Sequence, residues 1–265
     1  MLNILTIHAI RKTSSLPKPL KTLLLSLAFS DLGVGLLAQP LYIASMVIPS
    51  DTADVVITVD VVQFIFSFAS FFSVVAISVD RFLAVHLHLR YQELVTRRRV
   101  VAVVISFWTL SVFHSFLAEI TSNQLVNVIK LVVLGLCFII TAIVNCRIYL
   151  TVRRHSDHIQ VLQMQLAQNN QIESAARQKK SSIATLYIYL VFLVCSLPSY
   201  CAAFAFFISP PKTALRNMLN FYALTLLFLN SSLNPVIYGW KMRPIRLAMI
   251  KVMRNLFPRQ NQANL

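Results

Sequence analysis

Six long apolar runs constrain what this chain can fold into. Each is at least as long as the roughly 20 residues that a helix needs to cross a bilayer. Apolar residues make up 57% of the 265 residues and charged residues only 12%, which differs from the balance of a soluble domain. The sequence therefore predicts an all-α membrane protein, with runs at about 19–46, 55–88, 97–118, 125–150, 182–208 and 215–240.

A shorter apolar piece, Leu2–Ile10, precedes these runs. It is too short to cross a bilayer, and its backbone polar groups would lack partners in hydrocarbon. We therefore expect an N-terminally truncated seven-transmembrane helix bundle in which helix 1 is only partly present. One domain, 1–265, accounts for the chain. Its predicted elements are partial helix 1 (2–11), helix 2 (19–46), helix 3 (54–88), helix 4 (97–118), helix 5 (125–155), helix 6 (177–208), helix 7 (215–239) and an amphipathic helix (242–257).

The positive charges indicate an orientation. Net charge is +15, and most lysines and arginines lie in alternate connections between the runs and after the last one. By the positive-inside rule these segments are cytoplasmic, with the N-terminus outside and the C-terminus inside the plasma membrane. Topology and attraction to lipid headgroups explain the excess charge, so we expect a lipid bilayer partner and no nucleic acid. The basic, amphipathic segment 242–257 is predicted to lie flat in the inner headgroup layer.

Polar side chains interrupt the apolar runs at one depth. Asp31 lies in the middle of the first run, where an isolated carboxylate costs at least ~2.5 kcal/mol. Oxygen-bearing side chains around a carboxylate suit a small hard cation, or a protonated aspartic acid in a polar network. A dry network that only pins the helices together is the other interpretation, and spacing leaves both open. The residues at comparable depth are Ser70, Asn230, Ser231 and Asn234.

A pair of opposite charges ends the second run. Asp80-Arg81-Phe82 lies at the predicted cytoplasmic mouth of helix 3. The pair could be an ordinary interfacial ion pair of little energetic value. It could also be a switch, in which Arg81 holds Asp80 in one state and another partner in the next. Tyr149 and Tyr238 end their helices at a similar depth and are the candidate partners.

Pro198 lies inside the predicted helix 6. A proline there removes a backbone hydrogen bond and kinks the helix, so the residue is either a hinge or a static kink. Trp108, in the middle of helix 4, is interpreted as a packing residue.

In their order and spacing these motifs resemble those of the rhodopsin-like (class A) G-protein-coupled receptors. Within that family the chain is most similar to the melanocortin, cannabinoid, lysophospholipid and adenosine group. It shares three features with that group: no helix 3 disulfide, no helix 5 proline and a short second outside loop. The matching residues are Asn3 in helix 1, Leu27–Asp31 in helix 2, Asp80-Arg81-Phe82 in helix 3, Trp108 in helix 4, Tyr149 in helix 5, Cys195 and Pro198 in helix 6, and Asn234-Pro235-Val-Ile-Tyr238 in helix 7.

The resemblance implies a receptor and not an enzyme. Its partners would be an extracellular ligand (a peptide, lipid or small molecule) and a heterotrimeric G protein. Activation would proceed through movement of helix 6 and a switch between Asp80-Arg81 and Asn234–Tyr238. It also implies an allosteric sodium ion, and no other cofactor, in a pocket formed by Asp31, Ser70, Asn230, Ser231 and Asn234.

Several positions depart from the family pattern. Ser196 stands in place of a toggle tryptophan, so the usual trigger differs. Val56 stands in place of the helix 3 cysteine, and the four cysteines all lie in predicted helices, so no disulfide is expected. Thr141 replaces a helix 5 proline. Gln178 replaces an acidic residue that locks Arg81 in some members, so we expect raised basal activity.

The class of ligand can be narrowed by excluding two types of receptor. Helix 7 has Phe228 where a retinal opsin needs a lysine, and helix 3 has Gln63 where aminergic receptors have an aspartate. Gln63, Asp60 and Ser196 are the candidate pocket residues, and the alternative interpretation of Asp60 is an interfacial acid exposed to water.

Two alternatives to a signalling receptor stay open. One is a receptor-derived protein that no longer signals, an expectation that rests on Ser196 at the trigger position and on the partial helix 1. The other is a secondary transporter that uses Asp31 as its ion site. Transporters usually show paired repeats and broken helices at matched positions, and the sequence shows neither.

Overall fold

A computed structural model describes residues 2–47, 53–87, 90–120, 124–163, 170–208 and 213–256. Within these ranges the regular structure is entirely helical. The α-helices are α1 (Leu2–Lys12), α2 (Lys18–Gly33), α3 (Gln39–Val47), α4 (Ala53–Leu87), α5 (Tyr91–Leu94), α6 (Arg97–Ile120), α7 (Gln124–Gln163), α8 (Asn170–Ile208), α9 (Thr213–Lys241) and α10 (Arg243–Leu256).

Six of the described helical segments are long and apolar enough to cross a bilayer, which confirms the predicted all-α membrane bundle. Predicted helix 2 corresponds to α2 and α3 together, and predicted helices 3 to 7 correspond to α4, α6, α7, α8 and α9. The spans are Lys18–Val47, Ile57–Leu87, Arg97–Leu117, Leu131–Arg154, Ser181–Ile208 and Ala214–Lys241.

Helices α7 and α8 are longer than the apolar runs that predicted them. Helix α7 continues to Gln163, past the predicted end at 155, and α8 begins at Asn170, before the predicted start at 177. The extra residues, 156–163 and 170–176, mix polar residues with Ile159, Leu162 and Ile172, whose near-helical spacing indicates a helix that extends past the membrane-crossing run. Backbone hydrogen bonding continues through them, since an α-helix propagates more easily than it nucleates.

A wide turn divides predicted helix 2. Residues Val34–Ala38 form a π-helical turn between α2 and α3. Pro40 follows within one turn, and it has no N–H to donate to the carbonyl four residues before it, so the hydrogen-bond ladder shifts there. On the other side of the turn, Gly33 allows α4 to approach closely, since a Cβ atom at Gly33 would overlap the ring of Phe66.

Hydrogen bonds between polar side chains link α2 and α7 to α4, and α6 to α2. The Trp108 indole Nε1 of α6 donates to Ser26 Oγ at 3.1 Å, and Ser26 Oγ lies 2.9 Å from Ser73 Oγ of α4. On the opposite side Asn145 Nδ2 of α7 donates to Ser78 Oγ at 2.9 Å. Such bonds matter in lipid, because apolar burial alone does not drive membrane helices together. Trp108 therefore bonds as well as packs.

Candidate functional site

Asp31 and Asn234 meet in the middle of the bundle. Asp31 lies on α2 and Asn234 on α9, and Asn234 Nδ2 donates to Asp31 Oδ2 at 2.8 Å. Both side chains are only 1% exposed. Ser231 and Tyr238, also on α9, lie close enough to interact electrostatically with the Asp31 carboxylate. The structure thus brings most of the predicted helix 2 and helix 7 residues together.

The same region holds several buried oxygens that lack a hydrogen-bond partner within the described part of the chain. A buried polar atom left in this condition costs about 1–3 kcal/mol. All five are oxygens, and carboxylate, amide and hydroxyl oxygens are the donors that hard cations prefer. The atoms are Asp31 Oδ1, Asn230 Oδ1, Asn234 Oδ1, Asn3 Oδ1 and Tyr238 OH. This donor set fits a cation, and occupancy by sodium stays a prediction.

Ser70 bonds a neighbour of Asp31. Its hydroxyl donates to Ser30 Oγ at 2.8 Å, and Ser30 in turn donates to the Leu27 carbonyl at 2.9 Å. The sequence pattern placed Ser70 directly with Asp31 and did not single out Ser30. The sequence did contain a signal for Ser30, because Ser30 is a second polar residue beside Asp31 in an apolar run. The orientation of α2 decides which of the two faces Ser70.

A second buried cluster lies where α4 ends. Arg81 donates through both Nε and Nη2 to Asp80 Oδ2, with the Nε bond at 2.9 Å. The Tyr91 hydroxyl donates to the other carboxylate oxygen, Asp80 Oδ1, at 2.7 Å. Both charged side chains are buried, so this is not an exposed surface pair. Removing one partner of a buried pair typically costs 3–5 kcal/mol, because the other charge is left uncompensated.

Tyr91 was missed in the sequence. It begins α5, a helix of four residues that is too short to show an apolar period. Burial raises the pKa of the Tyr91 phenol, and the negative charge of Asp80 raises it further. The phenol therefore stays protonated at physiological pH and remains a donor to Asp80.

Arg81 also reaches α8. Its Nη1 donates to Ser181 Oγ at 3.4 Å, which is a long bond to a neutral acceptor. The side chains of Gln178, predicted to face Arg81, and of Val56, predicted to replace a cysteine, lie outside the described residues. Phe82, next in the chain, stacks on the His86 ring with centroids 4.0 Å apart.

Tyr149 lies on the outside of the bundle. Its side chain is 44% exposed, and among the described residues it makes no hydrogen bond to Arg81. It lines a small cavity of about 10 Å³ between α7 and α8, together with Ile148, Val152, Ser182, Ile183 and Leu186. Any role as an alternative partner of Arg81 therefore needs a different conformation from this one.

The candidate ligand residues lie at the other end of the bundle. Gln63 and Ser196 are buried, and neither Gln63 Oε1 nor Ser196 Oγ has a partner within the described ranges. Gln63 Nε2 donates to Ser67 Oγ at 3.1 Å. The Asp60 side chain is exposed and interacts with the Tyr42 phenol of α3. Two buried oxygens here thus lack a partner within the described ranges, and a ligand pocket at these residues stays a prediction.

An aromatic cluster that the sequence did not predict packs beside Ser196. Phe71 lies 5.2 Å from Phe138 and 5.8 Å from Phe192, centroid to centroid. The rings come from α4, α7 and α8, so they pack three helices against one another where the tryptophan is absent. Pro198 and Pro235 each lie within a continuous helix. The cysteines at 137, 146, 195 and 201 are free thiols.

Comparison with known proteins agrees with this architecture. A family model described as "7 transmembrane receptor (rhodopsin family)" matches residues 2–128 and 117–238. Human (Homo sapiens) adenosine receptor A2a is 24% identical over 98% of this chain and 70% of the receptor. Zebrafish (Danio rerio) melanocortin receptor 4 is 26% identical over 92% and 77%, and sheep (Ovis aries) adenosine receptor A3 is 24% identical over 95% and 84%.

These relatives fall in the group that the sequence motifs resembled. The family is one of multi-pass membrane receptors and not of enzymes, and its members in general have a G protein and an extracellular ligand as partners. With the helical bundle, the buried Asp80–Arg81 pair and the Asp31–Asn234 contact in place, the chain belongs to the rhodopsin family of seven-transmembrane receptors.

Proposed function

We propose that this chain is a plasma-membrane receptor that binds an extracellular ligand and activates a heterotrimeric G protein. The observation that carries the proposal is the Arg81 cluster. Arg81 is buried, doubly bonded to Asp80, and joined to α8 only by the 3.4 Å contact to Ser181 among the helix 6 residues described. A G protein can enter at this end of the bundle when α8 moves away and uncovers Arg81.

The energetics favour a switch that opens easily. At 3.4 Å the bond from Arg81 to the Ser181 hydroxyl is long, so it contributes less than the roughly 1.5–3 kcal/mol of a well-formed hydrogen bond to a charged group, and breaking it leaves no charge unpaired on α8. An agonist therefore needs only a modest preference for the open state to shift the population. The same weakness supports the expectation of raised basal activity.

The ion pocket would regulate this switch. Asp31 and Asn234 join α2 to α9, and α9 continues through Pro235 to Tyr238 and the end of the bundle. If sodium binds, Asp31, Asn230, Ser231 and Asn234 would hold it, and its positive charge would offset the buried carboxylate. Ser70 would act through Ser30, its partner in this structure.

The chemistry of the ligand is suggested by the relatives and the outer pocket. The similar receptors are named for adenosine and for melanocortin. Nucleosides and melanocortin peptides are therefore the first compounds to test. The unpartnered oxygen of Gln63 favours a ligand that carries a hydrogen-bond donor.

The test is a loss of coupling. Arg81→Ala is expected to abolish cyclic-nucleotide and calcium responses, both basal and ligand-induced, while the protein still reaches the cell surface. Arg81→Lys keeps the positive charge but loses the double hydrogen bond to Asp80. It is the second variant to measure if the alanine variant misfolds. The matched control is Arg90→Ala, because Arg90 is an exposed arginine beside the same cluster.

Three outcomes separate the functions considered. Unchanged signalling in Arg81→Ala would exclude the proposed mechanism. No response in the wild type at normal surface expression would favour a receptor-derived protein that no longer signals. Sodium-driven solute uptake that Asp31→Asn abolishes would favour a secondary transporter.

A further inference from the structure

A lysine is held between two aromatic rings where α9 ends. Lys241 Nζ lies 3.5 Å from the ring centroid of Trp240 and 4.1 Å from the ring centroid of Tyr187. Trp240 and Lys241 belong to α9, whereas Tyr187 belongs to α8. The two rings lie 5.5 Å apart at an angle of 57°. We call Tyr187, Trp240 and Lys241 the aromatic clamp.

The geometry of the clamp is that of a strong cation–π contact. Both distances are well inside the ~6 Å within which a cation is attracted to a ring face. Such a contact changes an equilibrium constant roughly two-fold at an exposed site and up to about thirty-fold when the groups are desolvated. Lys241 and Tyr187 are half-buried while Trp240 is 63% exposed, so the clamp lies between these limits.

The clamp joins the helix that has to move to a helix that stays. At this end of the bundle α8 is held on one side by Ser181, which contacts Arg81 of α4. It is held on the other side by Tyr187, which contacts Lys241 of α9. Outward movement of α8 takes Tyr187 away from Lys241. The contact between Lys241 and Trp240 survives the movement, because both residues belong to α9.

We propose that Lys241, held between Tyr187 and Trp240, is a latch that keeps α8 closed against α9. This latch rests on the proposed function, in which opening of α8 exposes Arg81. The retained Trp240 ring gives the ammonium a partner in the open state too. The latch therefore opens without stranding a charge at the membrane boundary, and it adds to the weak Ser181 contact in setting basal activity.

The first measurement is basal signalling of the full chain in cells, normalised to surface expression. Lys241→Gln removes the charge at similar length, and Tyr187→Leu removes the ring, so each is expected to raise basal signalling between two-fold and about thirty-fold. Lys241→Arg and Tyr187→Phe keep a cation and a ring, and should stay near wild type. Lys251→Gln is the control for loss of one positive charge, because the Lys251 side chain is exposed on α10.

A double variant tests whether the two residues act together. If they form one contact, Lys241→Gln combined with Tyr187→Leu raises basal signalling no more than the stronger single variant does. Multiplied effects would mean that each residue acts separately, and that result would overturn the latch.

The second measurement follows α8 without relying on a G protein. Leu190 lies on the exposed side of α8, one turn from Tyr187. With the exposed Cys146 and Cys201 replaced by serine, a bimane dye on Leu190→Cys in the purified protein is expected to be quenched by Trp240, whose ring lies 5.5 Å from that of Tyr187. Lys241→Gln should increase bimane fluorescence, and Lys251→Gln should not.

The two measurements separate failure of the latch from failure of the proposed function. If the protein does not couple to any G protein, dye fluorescence alone decides the latch, and a Lys241→Gln signal equal to that of Lys251→Gln refutes it. If the protein couples but Lys241→Gln matches Lys251→Gln in basal signalling, the latch is refuted while the receptor function stands.

Discussion

Replacing Tyr91 by phenylalanine tests the buried cluster at the end of α4 most directly. The change removes one hydroxyl and keeps the ring. Asp80 Oδ1 then loses the 2.7 Å bond that Tyr91 donates, while Arg81 continues to bond Oδ2. A hydrogen bond to a charged group contributes about 1.5–3 kcal/mol. Tyr91 is only partly buried, so the expected loss lies at or below the lower end, about 1–1.5 kcal/mol.

Two observables should follow from this loss. The apparent melting temperature in detergent should fall by a few degrees, since a loss of 1 kcal/mol shifts a protein of this size by about 2–4 °C. Basal G-protein signalling should rise, because a less firmly held Asp80 leaves Arg81 freer to leave the closed geometry. Tyr222→Phe is the matched control, as Tyr222 is mostly exposed and its ring packs edge-on against Phe221.

A double-mutant cycle decides whether the effect passes through the carboxylate. In an Asp80→Asn background the acceptor is neutral, so Tyr91→Phe should cost clearly less than it does in the wild type. The reasoning is wrong if Tyr91→Phe behaves like Tyr222→Phe, or if its cost is the same in both backgrounds.

The same bond makes a prediction about pH. Folding raises the pKa of Tyr91, so the folded state favours the protonated phenol. Its contribution to stability is complete below the ordinary tyrosine pKa of about 10 and is lost as pH rises from there towards the folded value. Between pH 9 and about 11 the difference in melting temperature between wild type and Tyr91→Phe should shrink. A constant difference would show that Tyr91 does not bond Asp80 through its proton.

Three further changes test other contacts. Ser181→Ala should raise basal signalling slightly and Ser181→Glu should lower it, because a carboxylate would pair with Arg81 more strongly than the hydroxyl does at 3.4 Å; equal signalling from the two would contradict this contact. Sodium in place of choline should raise the melting temperature of the wild type but not of Asp31→Asn, and a response that persists in the variant would reject the ion site. Gly33→Ala should lower surface expression, since its Cβ overlaps the Phe66 ring, and restoration by a second Phe66→Leu change would tie the loss to that overlap.

Much of the architecture could be read from hydropathy and charge. The apolar runs predicted the membrane-crossing helices, and the order of short motifs around Asp31, Arg81 and Asn234 predicted the receptor family. These features are local, because a residue's hydropathy and a motif's spacing are written in consecutive positions. The boundaries of α7 and α8 were less predictable, since the apolar residues beyond the membrane-crossing runs are few and are mixed with polar ones.

Side-chain pairing within the site could not be predicted in the same way. Ser70 faces Ser30 and not Asp31, Tyr149 points out of the bundle, and Tyr91 reaches back to Asp80 from a one-turn helix. Each result depends on how far a helix is rotated about its axis and at what depth it lies. Those values are set by packing against several neighbours at once, such as the close approach at Gly33.

The sequence by itself determined that the chain is a membrane bundle of the receptor family, because the cost of polar backbone and charge in lipid leaves few other solutions. Only the tertiary structure decided which polar groups meet. It paired Ser70 with Ser30, 40 residues apart, and brought Lys241 onto the ring of Tyr187 on a neighbouring helix. No local pattern encodes these pairs, since they exist only after helices distant in sequence have packed side by side.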